Sequence, residues 1–277
     1  MKKSLVALTA VLTMGICCSS ALASDIDASL KVGYNLAKSS SKVALVPADS
    51  ALEITGNGGG GLSITANINA DISNGFGISA SVTGDYMNKK ITSDQTTTSR
   101  GVEVVENKLD SFKKWTLSGD ALVTYNLVNN VPGLKAGVQG GVNFVSTNVA
   151  DAIIDKTTPV NKAESYESNG SASGGALVVG GFVDYKINDK LNVSADGYIG
   201  LLKFGSVVNP FSNYKLNAEL SYEVMDNLKV VGGFTLANNV LSKELLNVEF
   251  ASQSLAKANI EYSYTQLTPS IGVSYNF

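Results

Sequence analysis

The side chains of this chain that could do chemistry are carboxylates and lysines. The sequence contains no histidine, the side chain that most often serves as a general acid or base near neutral pH. Its two cysteines, Cys17 and Cys18, lie in an N-terminal stretch that we predict to be removed, so no thiol remains for a nucleophile, a disulfide or a metal site. We therefore expect no catalytic, cofactor-binding or metal-binding residues.

The charged residues of interest each alternate with apolar residues in a predicted strand. The acids are Asp27, Asp71, Asp85, Asp120, Asp184, Asp196, Glu219 and Glu223, and the lysines are Lys31, Lys135, Lys186, Lys215 and Lys229. We expect them to face the interior of the molecule. They form either a paired polar core or an ion path, and we favour the paired core.

The elements that position these charges are ten segments with strict apolar and polar alternation, the period of a strand with two different faces. The apolar face carries no charged or amide side chain, and its aromatic residues collect near both ends of the segments. The predicted strands are 26–36, 62–72, 76–86, 115–127, 134–144, 177–187, 191–201, 214–224, 228–236 and 267–277. Because segment 240–259 could hide two more short strands, eight and twelve strands stay open.

The N-terminal 23 residues have the features of a secretory signal peptide. Lys2 and Lys3 precede an apolar run, and Ala21-Leu22-Ala23 is a small-x-small cleavage site. We predict cleavage near Ala23, which leaves residues 24–277 as a single domain. Removing two lysines from 21 basic residues leaves 19 against 24 acidic ones, a net charge of −5, so nucleic acid is not an expected partner.

Composition restricts the class of protein further. Charged residues make up only 16% of the chain, against about 25% in ordinary soluble proteins. After the signal peptide, no apolar run approaches the ~18 residues that a transmembrane helix needs. An exported chain that crosses a membrane without helices must do so as a closed β-barrel, because only these two structures satisfy every backbone group in lipid. A soluble secreted β protein is the remaining alternative.

The connections between the predicted strands alternate between short and long. The short links are 73–75, 128–133, 188–190 and 225–227, and the long ones are 37–61, 87–114, 145–176, 202–213 and 237–266. In strand number, face alternation and loop lengths the chain resembles the small outer-membrane β-barrels of bacteria. The resemblance implies an antiparallel transmembrane up-and-down barrel with tight periplasmic turns, long extracellular loops, and outer-membrane lipid and the barrel-assembly machinery as partners.

The C-terminus resembles the assembly signal of that class. The final strand alternates strictly, and Tyr275 and Phe277 share its apolar face. Before Leu267 the phase slips, which predicts either a bulge near Gln266 or a strand that leaves the membrane there, and Pro269 also favours a bulge. Pairing across the 225–227 turn predicts that Glu223 lies opposite Lys229.

The enzymes of this class, the omptin-type proteases and the barrel lipases, acyltransferases and deacylases, rely on a histidine, and this chain has none. The resemblance therefore does not extend to activity. We expect a surface protein whose loops bind an extracellular ligand, as an adhesin or antigen. The alternative is a narrow, porin-like, weakly cation-selective channel.

Overall fold

The computed structural model describes residues 25–46, 51–98, 105–128, 130–150, 169–250 and 253–277. These residues form ten strands and one 3-10 turn, Pro210–Ser212. The strands are β1 Asp25–Val46, β2 Ala51–Ser73, β3 Phe76–Thr98, β4 Val105–Asn126, β5 Leu134–Ala150, β6 Asn169–Lys186, β7 Leu191–Gly205, β8 Tyr214–Met225, β9 Leu228–Phe250 and β10 Gln253–Asn276. Within these residues no helix is both long and apolar enough to cross a membrane.

The ten strands close into an antiparallel up-and-down barrel. Each strand pairs with its neighbours in sequence, and β10 pairs with β1 to complete the ring. The predicted fold class and the count of ten are confirmed. The ambiguous segment 240–259 adds no strands, because its described residues belong to the upper parts of β9 and β10.

The alternation of residue types decides which face of each strand is outside. On β1, Leu30, Val32 and Tyr34 are exposed on the outer wall, whereas Lys31 and Asn35 between them are buried in the interior. On β10, Ile271 and Val273 face outwards and Ser274 inwards. The outer wall is therefore apolar and the lumen is polar, which is the reverse of a soluble barrel.

The pairing register gives the tilt of the strands. Starting at Ile26 and following paired residues once around the ring leads back to β1 at Lys38, twelve residues further on (38 − 26). With a rise of 3.3 Å per residue and a spacing of 4.8 Å between strands, this shear tilts the ten strands by about 40°. A ten-residue segment then rises about 25 Å, the height of the apolar band of an outer-membrane barrel.

The short connections are tighter than predicted at two places. Between β2 and β3 the turn is Asn74-Gly75 alone, with φ of +54° and +82°, and Ser73 pairs with Phe76. Positive φ at both central residues is the geometry that suits the twist of a two-residue hairpin. The turn between β8 and β9 is likewise only Asp226-Asn227. We call this end of the barrel the turn end.

The opposite end, which we call the tall end, corrects the prediction of long loops. Segments 37–46, 51–61, 87–98, 105–114, 237–250 and 253–266 are strand, not loop. They continue β1–β4, β9 and β10 by about ten residues each and stay paired, for example Val43 with Leu52 and with Ile260. Alternation is weak in these segments, so the sequence contained little signal for strands there.

The change in the phase of alternation before Leu267 is not accompanied by a bulge in the strand. β10 keeps one register with β9 and with β1 through Gln266 and Tyr264, so the prediction of a bulge at Gln266 or Pro269 is wrong. Tyr264 simply lies on the inner face above the apolar band. The ladder between β1 and β10 has a gap opposite Pro269. The paired residues on β1 stop at Gly33 and resume at Leu36.

Candidate functional site: the charged interior

A layer of charges crosses the middle of the lumen. The Lys215 ammonium on β8 lies 2.7 Å from Oδ2 of Asp120 on β4 and donates to the Ser81 hydroxyl on β3 at 3.0 Å. Asp120 Oδ2 also accepts from Ser81 at 2.8 Å and from the Tyr198 hydroxyl at 3.4 Å. Lys31 on β1 forms an ion pair with Glu219 on β8. We call these residues, with Asp196, the charged layer.

The contact between Lys215 and Ser81 shows that the barrel is flattened. In a ring of ten strands β3 and β8 are diametrically opposite, and a circular barrel with this shear would hold opposite walls about 20 Å apart. An extended lysine, a hydrogen bond and a serine together span only about 12 Å. The two walls therefore approach each other at this level, and side chains bridge the lumen directly.

Apolar side chains add to the filling on one side of the layer. Leu122, Ala176, Val178 and Tyr198 form a buried cluster from β4, β6 and β7. All four point inwards, and Leu122 and Val178 do so in step with the alternation of their strands although their side chains are apolar. The interior is thus partly a conventional apolar core.

The space that remains beside the charged layer is small and polar. It has room for water of only about 30 Å³, or about two molecules. Hydroxyl and amide side chains predominate in its lining, including Ser63, Thr83, Thr268, Asn239 and Gln266. The space at this level is therefore narrow and lined mainly by polar groups.

The connection between β7 and β8 is part of this filling, which corrects the prediction of a long loop over 202–213: residues 202–205 continue β7, and the remainder folds towards the lumen. After Gly205 the chain turns back, and Val207 pairs with Leu241 on β9. The Pro210 carbonyl packs against Gly200, where an added Cβ would lie 2.3 Å from its oxygen. We call residues 206–213 the inserted turn.

Asn213 anchors the inserted turn inside the lumen. Its side chain is 1% exposed and exchanges two hydrogen bonds with the amide of Asn143 on β5, at 2.6 and 3.1 Å. Asn143 Oδ1 also accepts from the Ala176 backbone N–H at 3.2 Å. The turn is therefore tied to β5 by a paired amide and cannot swing out without exposing both groups.

A second buried polar group lies towards the tall end. Asn35 Nδ2 donates to the Tyr264 hydroxyl at 2.9 Å and to Gln266 Oε1 at 3.1 Å. Asp85 on β3 is buried in the interior as well, at 3% exposure. These residues fill the lumen above the charged layer.

Ion pairs at the turn end involve most of the other predicted lumen charges. Lys135 Nζ lies 2.7 Å from Asp71, Lys229 Nζ lies 3.3 Å from Asp27, and Lys186 Nζ lies 3.3 Å from Asp189 in the next turn. Glu223 is paired in register with Lys229, as the turn geometry required, but the ammonium reaches Asp27.

The two remaining acids are bound by amides. Asp184 accepts from Asn192 at 3.0 Å, and Asp196 accepts from Asn217 at 3.1 and 3.2 Å. Asp196 thus belongs to the charged layer without a direct lysine contact. Among the lumen charges named from the sequence, Lys31, Asp85 and Asp120 are buried, whereas Asp71, Lys135 and Lys186 are exposed at the turn end.

The C-terminal aromatics close the barrel at the turn end. The rings of Tyr275 and Phe277 meet edge to face with centroids 4.9 Å apart. The Phe277 N–H donates to the Ile26 carbonyl of β1 at 2.8 Å. Both side chains are exposed on the outer wall.

Sequence reasoning missed the neutral residues of the interior. Ser81, Asn143, Tyr198 and Asn213 complete the polar network, yet each is one of many similar residues at inward positions. Only Asn213 had a usable signal, since it ends the shortest of the five long connections, which contains a proline.

Comparison with known proteins places the chain in a family. A profile of the outer membrane protein beta-barrel domain matches residues 9–222, more than half of the chain. No curated protein is significantly similar in sequence. Among solved structures, outer membrane protease OmpT of Escherichia coli has 16% identity and a TM-score of 0.57, over 92% of this chain and 97% of OmpT.

Two further barrels are less similar in structure. Outer membrane protein OprG of Pseudomonas aeruginosa has 12% identity and a TM-score of 0.43, over 92% of this chain and 97% of its own. The translocator domain of autotransporter NalP of Neisseria meningitidis has 12% identity and a TM-score of 0.40, over 99% and 97%. The likeness to OmpT concerns the fold alone. The apolar wall, the closed ten-strand ring and the matching profile agree: this chain is an outer-membrane β-barrel and belongs to the outer membrane protein beta-barrel domain family.

Proposed function

We propose that the protein is a non-enzymatic surface barrel whose tall end is extracellular and binds a ligand, as an adhesin or antigen does. The observation that carries the proposal is the combination of a bridged lumen with strands that rise well above the apolar band. β1–β4, β9 and β10 continue as one six-stranded sheet at the tall end. Strands that extend this far above the apolar band, together with a filled interior, suit a binding role better than a transport role.

The absence of an enzyme site is part of the proposal. The chain has no histidine, and the carboxylates of Asp120, Asp196 and Glu219 are engaged by lysines, hydroxyls or amides. A carboxylate held in this way is not poised to take a proton from a substrate. The structural likeness to a protease therefore enters this proposal only as a shared fold.

Shortening the tall end tests the proposal. In the β5–β6 hairpin, residues 147–172 would be replaced by Asn-Gly, which joins the paired residues Ser146 and Ser173. We expect cells that display this variant to lose adherence to immobilised extracellular matrix and to epithelial monolayers, while heat-modifiable gel mobility shows a folded barrel. Unchanged adherence, after the β1–β2 and β3–β4 hairpins have been shortened in the same way, would exclude a binding role of the tall end.

A narrow, weakly cation-selective passage is the second candidate. It is favoured by the polar lining of the space beside the charged layer and by the excess of acids over lysines among the inward charges. Conductance measurements on the purified barrel separate the two candidates.

A further inference from the structure

The outer wall has a groove within the apolar band, between β4 and β8. Its volume is about 470 Å³, inside the range of small-molecule sites. Small outward residues, Ala136, Gly181 and Ala195, form its floor, and Leu127 and Leu216 stand at its two ends. At Gly181 an added Cβ would meet one atom within 4 Å, the Gly137 carbonyl oxygen at 3.2 Å, and no side chain covers this position.

Position along the barrel identifies what fills this groove. It begins at Leu127 and Val128, beside the β4–β5 connection at the turn end, and runs to Leu216, the third residue of β8 from the tall end. It is continuous with the lipid-facing wall on both sides, where Val138, Val183 and Val193 are exposed. The groove therefore faces the acyl region of the membrane, and an acyl chain fits its mainly apolar lining.

Basic residues lie near the turn end of the same groove, at the height expected for lipid headgroups. The β6–β7 turn lies beside the β4–β5 connection, because the Lys186 N–H donates to the Gly133 carbonyl at 2.7 Å. Lys186 is half exposed, and its ammonium is paired with the exposed carboxylate of Asp189 at 3.3 Å. Lys190 in the same turn is exposed, with no carboxylate of the described residues within ion-pair distance. Ammonium groups at the membrane surface attract anionic headgroups.

We propose that this groove is a binding site for one anionic phospholipid. One acyl chain lies over Gly181 and Ala195, and the phosphate is held at the turn end by Lys186 and Lys190. The site requires the outer-membrane location of the barrel but not its proposed role in adherence, so the two can fail separately.

Native mass spectrometry of the detergent-solubilised barrel with added phosphatidylglycerol tests the site. We expect wild type to retain one lipid and Ala195→Leu, which fills the groove, to retain at least fivefold less. Ala80→Leu is the matched control, because Ala80 is also an outward, half-buried alanine but lies on β3. Heat-modifiable mobility verifies that both variants fold.

A separate experiment tests the contact with the headgroup. Lys190→Gln should reduce the preference for phosphatidylglycerol over phosphatidylethanolamine, whereas Lys203→Gln at the tall end of β7 should not. Retention of glycerol phosphate as strong as that of the lipid would refute the acyl-chain site. Equal lipid retention by wild type and Ala195→Leu would overturn the proposal, and so would a dimer that only Ala195→Leu disperses, since a second copy would then occupy the groove.

Discussion

At the scale of single residues, Lys215 makes the contacts that cross the lumen. Its ammonium joins β8 to β3 and β4 through Ser81 and Asp120, and it is the bridge that defines the flattened cross-section. Side-chain exposure of the pair is 15% for Lys215 and 5% for Asp120. A charge left alone in this position has little water to solvate it, which makes the pair sensitive to removal of either partner.

Lys215→Met should destabilise the barrel by about 3–5 kcal/mol, the usual cost of leaving one member of a buried ion pair uncompensated. Replacing both partners, with Asp120→Leu, should recover most of the loss. Urea unfolding in liposomes, followed by the fluorescence of the single tryptophan Trp115, measures the difference.

The control for this prediction is the exposed pair at the turn end. Lys135 and Asp71 are each 57% exposed, so Lys135→Met should cost no more than about 1 kcal/mol. Equal costs for Lys135→Met and Lys215→Met would mean that the charged layer is solvated and that the lumen is wider than the contacts indicate.

Gly200 is a second residue whose environment predicts a definite outcome. A Cβ there would lie 2.3 Å from the Pro210 carbonyl and 3.1 Å from Cβ of Ala176, so Gly200→Ala should displace the inserted turn and cost about 1–3 kcal/mol, as overpacking does. At Gly84 nothing lies within 4 Å, and Gly84→Ala should be neutral or slightly stabilising. Unfolding midpoints of the two variants make the comparison, and an identical result would contradict the packing of the turn.

At the scale of elements, the last strand closes the ring and fixes the whole register. β10 pairs with β9 on one side and with β1 on the other without a shift. Its tip is held by the Phe277 N–H on the Ile26 carbonyl and by the ring contact with Tyr275. A strand that must find both partners at once is a suitable element for recognition during assembly.

Deletion of Phe277, or Phe277→Asp, should leave export intact and sharply reduce the folded outer-membrane form. Phe76→Asp is the control, because Phe76 is also an exposed aromatic at the turn end and packs on Tyr125 at 4.7 Å. Fractionation with heat-modifiable mobility gives the folded fraction. If the Phe76 variant assembles as poorly as the Phe277 variant, the effect belongs to the membrane interface and not to a terminal signal.

At the scale of the whole molecule, strand number and cross-section together decide conduction. About eight strands leave an interior that side chains can fill, and open aqueous pores need on the order of 16. Ten strands would leave some room in a circular barrel. Flattening, the apolar cluster around Leu122 and the inserted turn remove that room, because they bring the walls and their side chains into direct contact.

Purified wild-type barrel in a planar bilayer should therefore show no stable conductance, or only a small one. Removing both bridging lysines, with Lys31→Ala and Lys215→Ala, should open a small cation-selective passage, since Asp120, Asp196 and Glu219 remain in the lumen. Single-channel recording at several salt concentrations measures size and selectivity. A large, stable, anion-selective pore in the wild type would refute the closed lumen.

The sequence by itself determined the barrel class, the positions of the alternating segments and the face of each; the closed ring settled the count of ten. Those features depend on local periodicity: a strand in lipid must be apolar on alternate positions, and Ile26–Leu36 or Leu267–Phe277 show this without any partner. Pairing across a tight turn is also local, so the opposition of Glu223 and Lys229 could be read directly. The upper halves of β1–β4, β9 and β10 could not, because their sequences lack the strict alternation that strands in lipid require.

Only the tertiary structure decided which side chains meet in the interior of the barrel. Lys215 meets Asp120 and Ser81 across separations of 95 and 134 residues, and no local pattern encodes which inward lysine meets which inward acid. The inserted turn and the flattened walls depend on all the inward side chains packing together at once. For the same reason the groove over Gly181 was not visible in the sequence, since it exists only where small residues of β5, β6 and β7 come side by side in the closed ring.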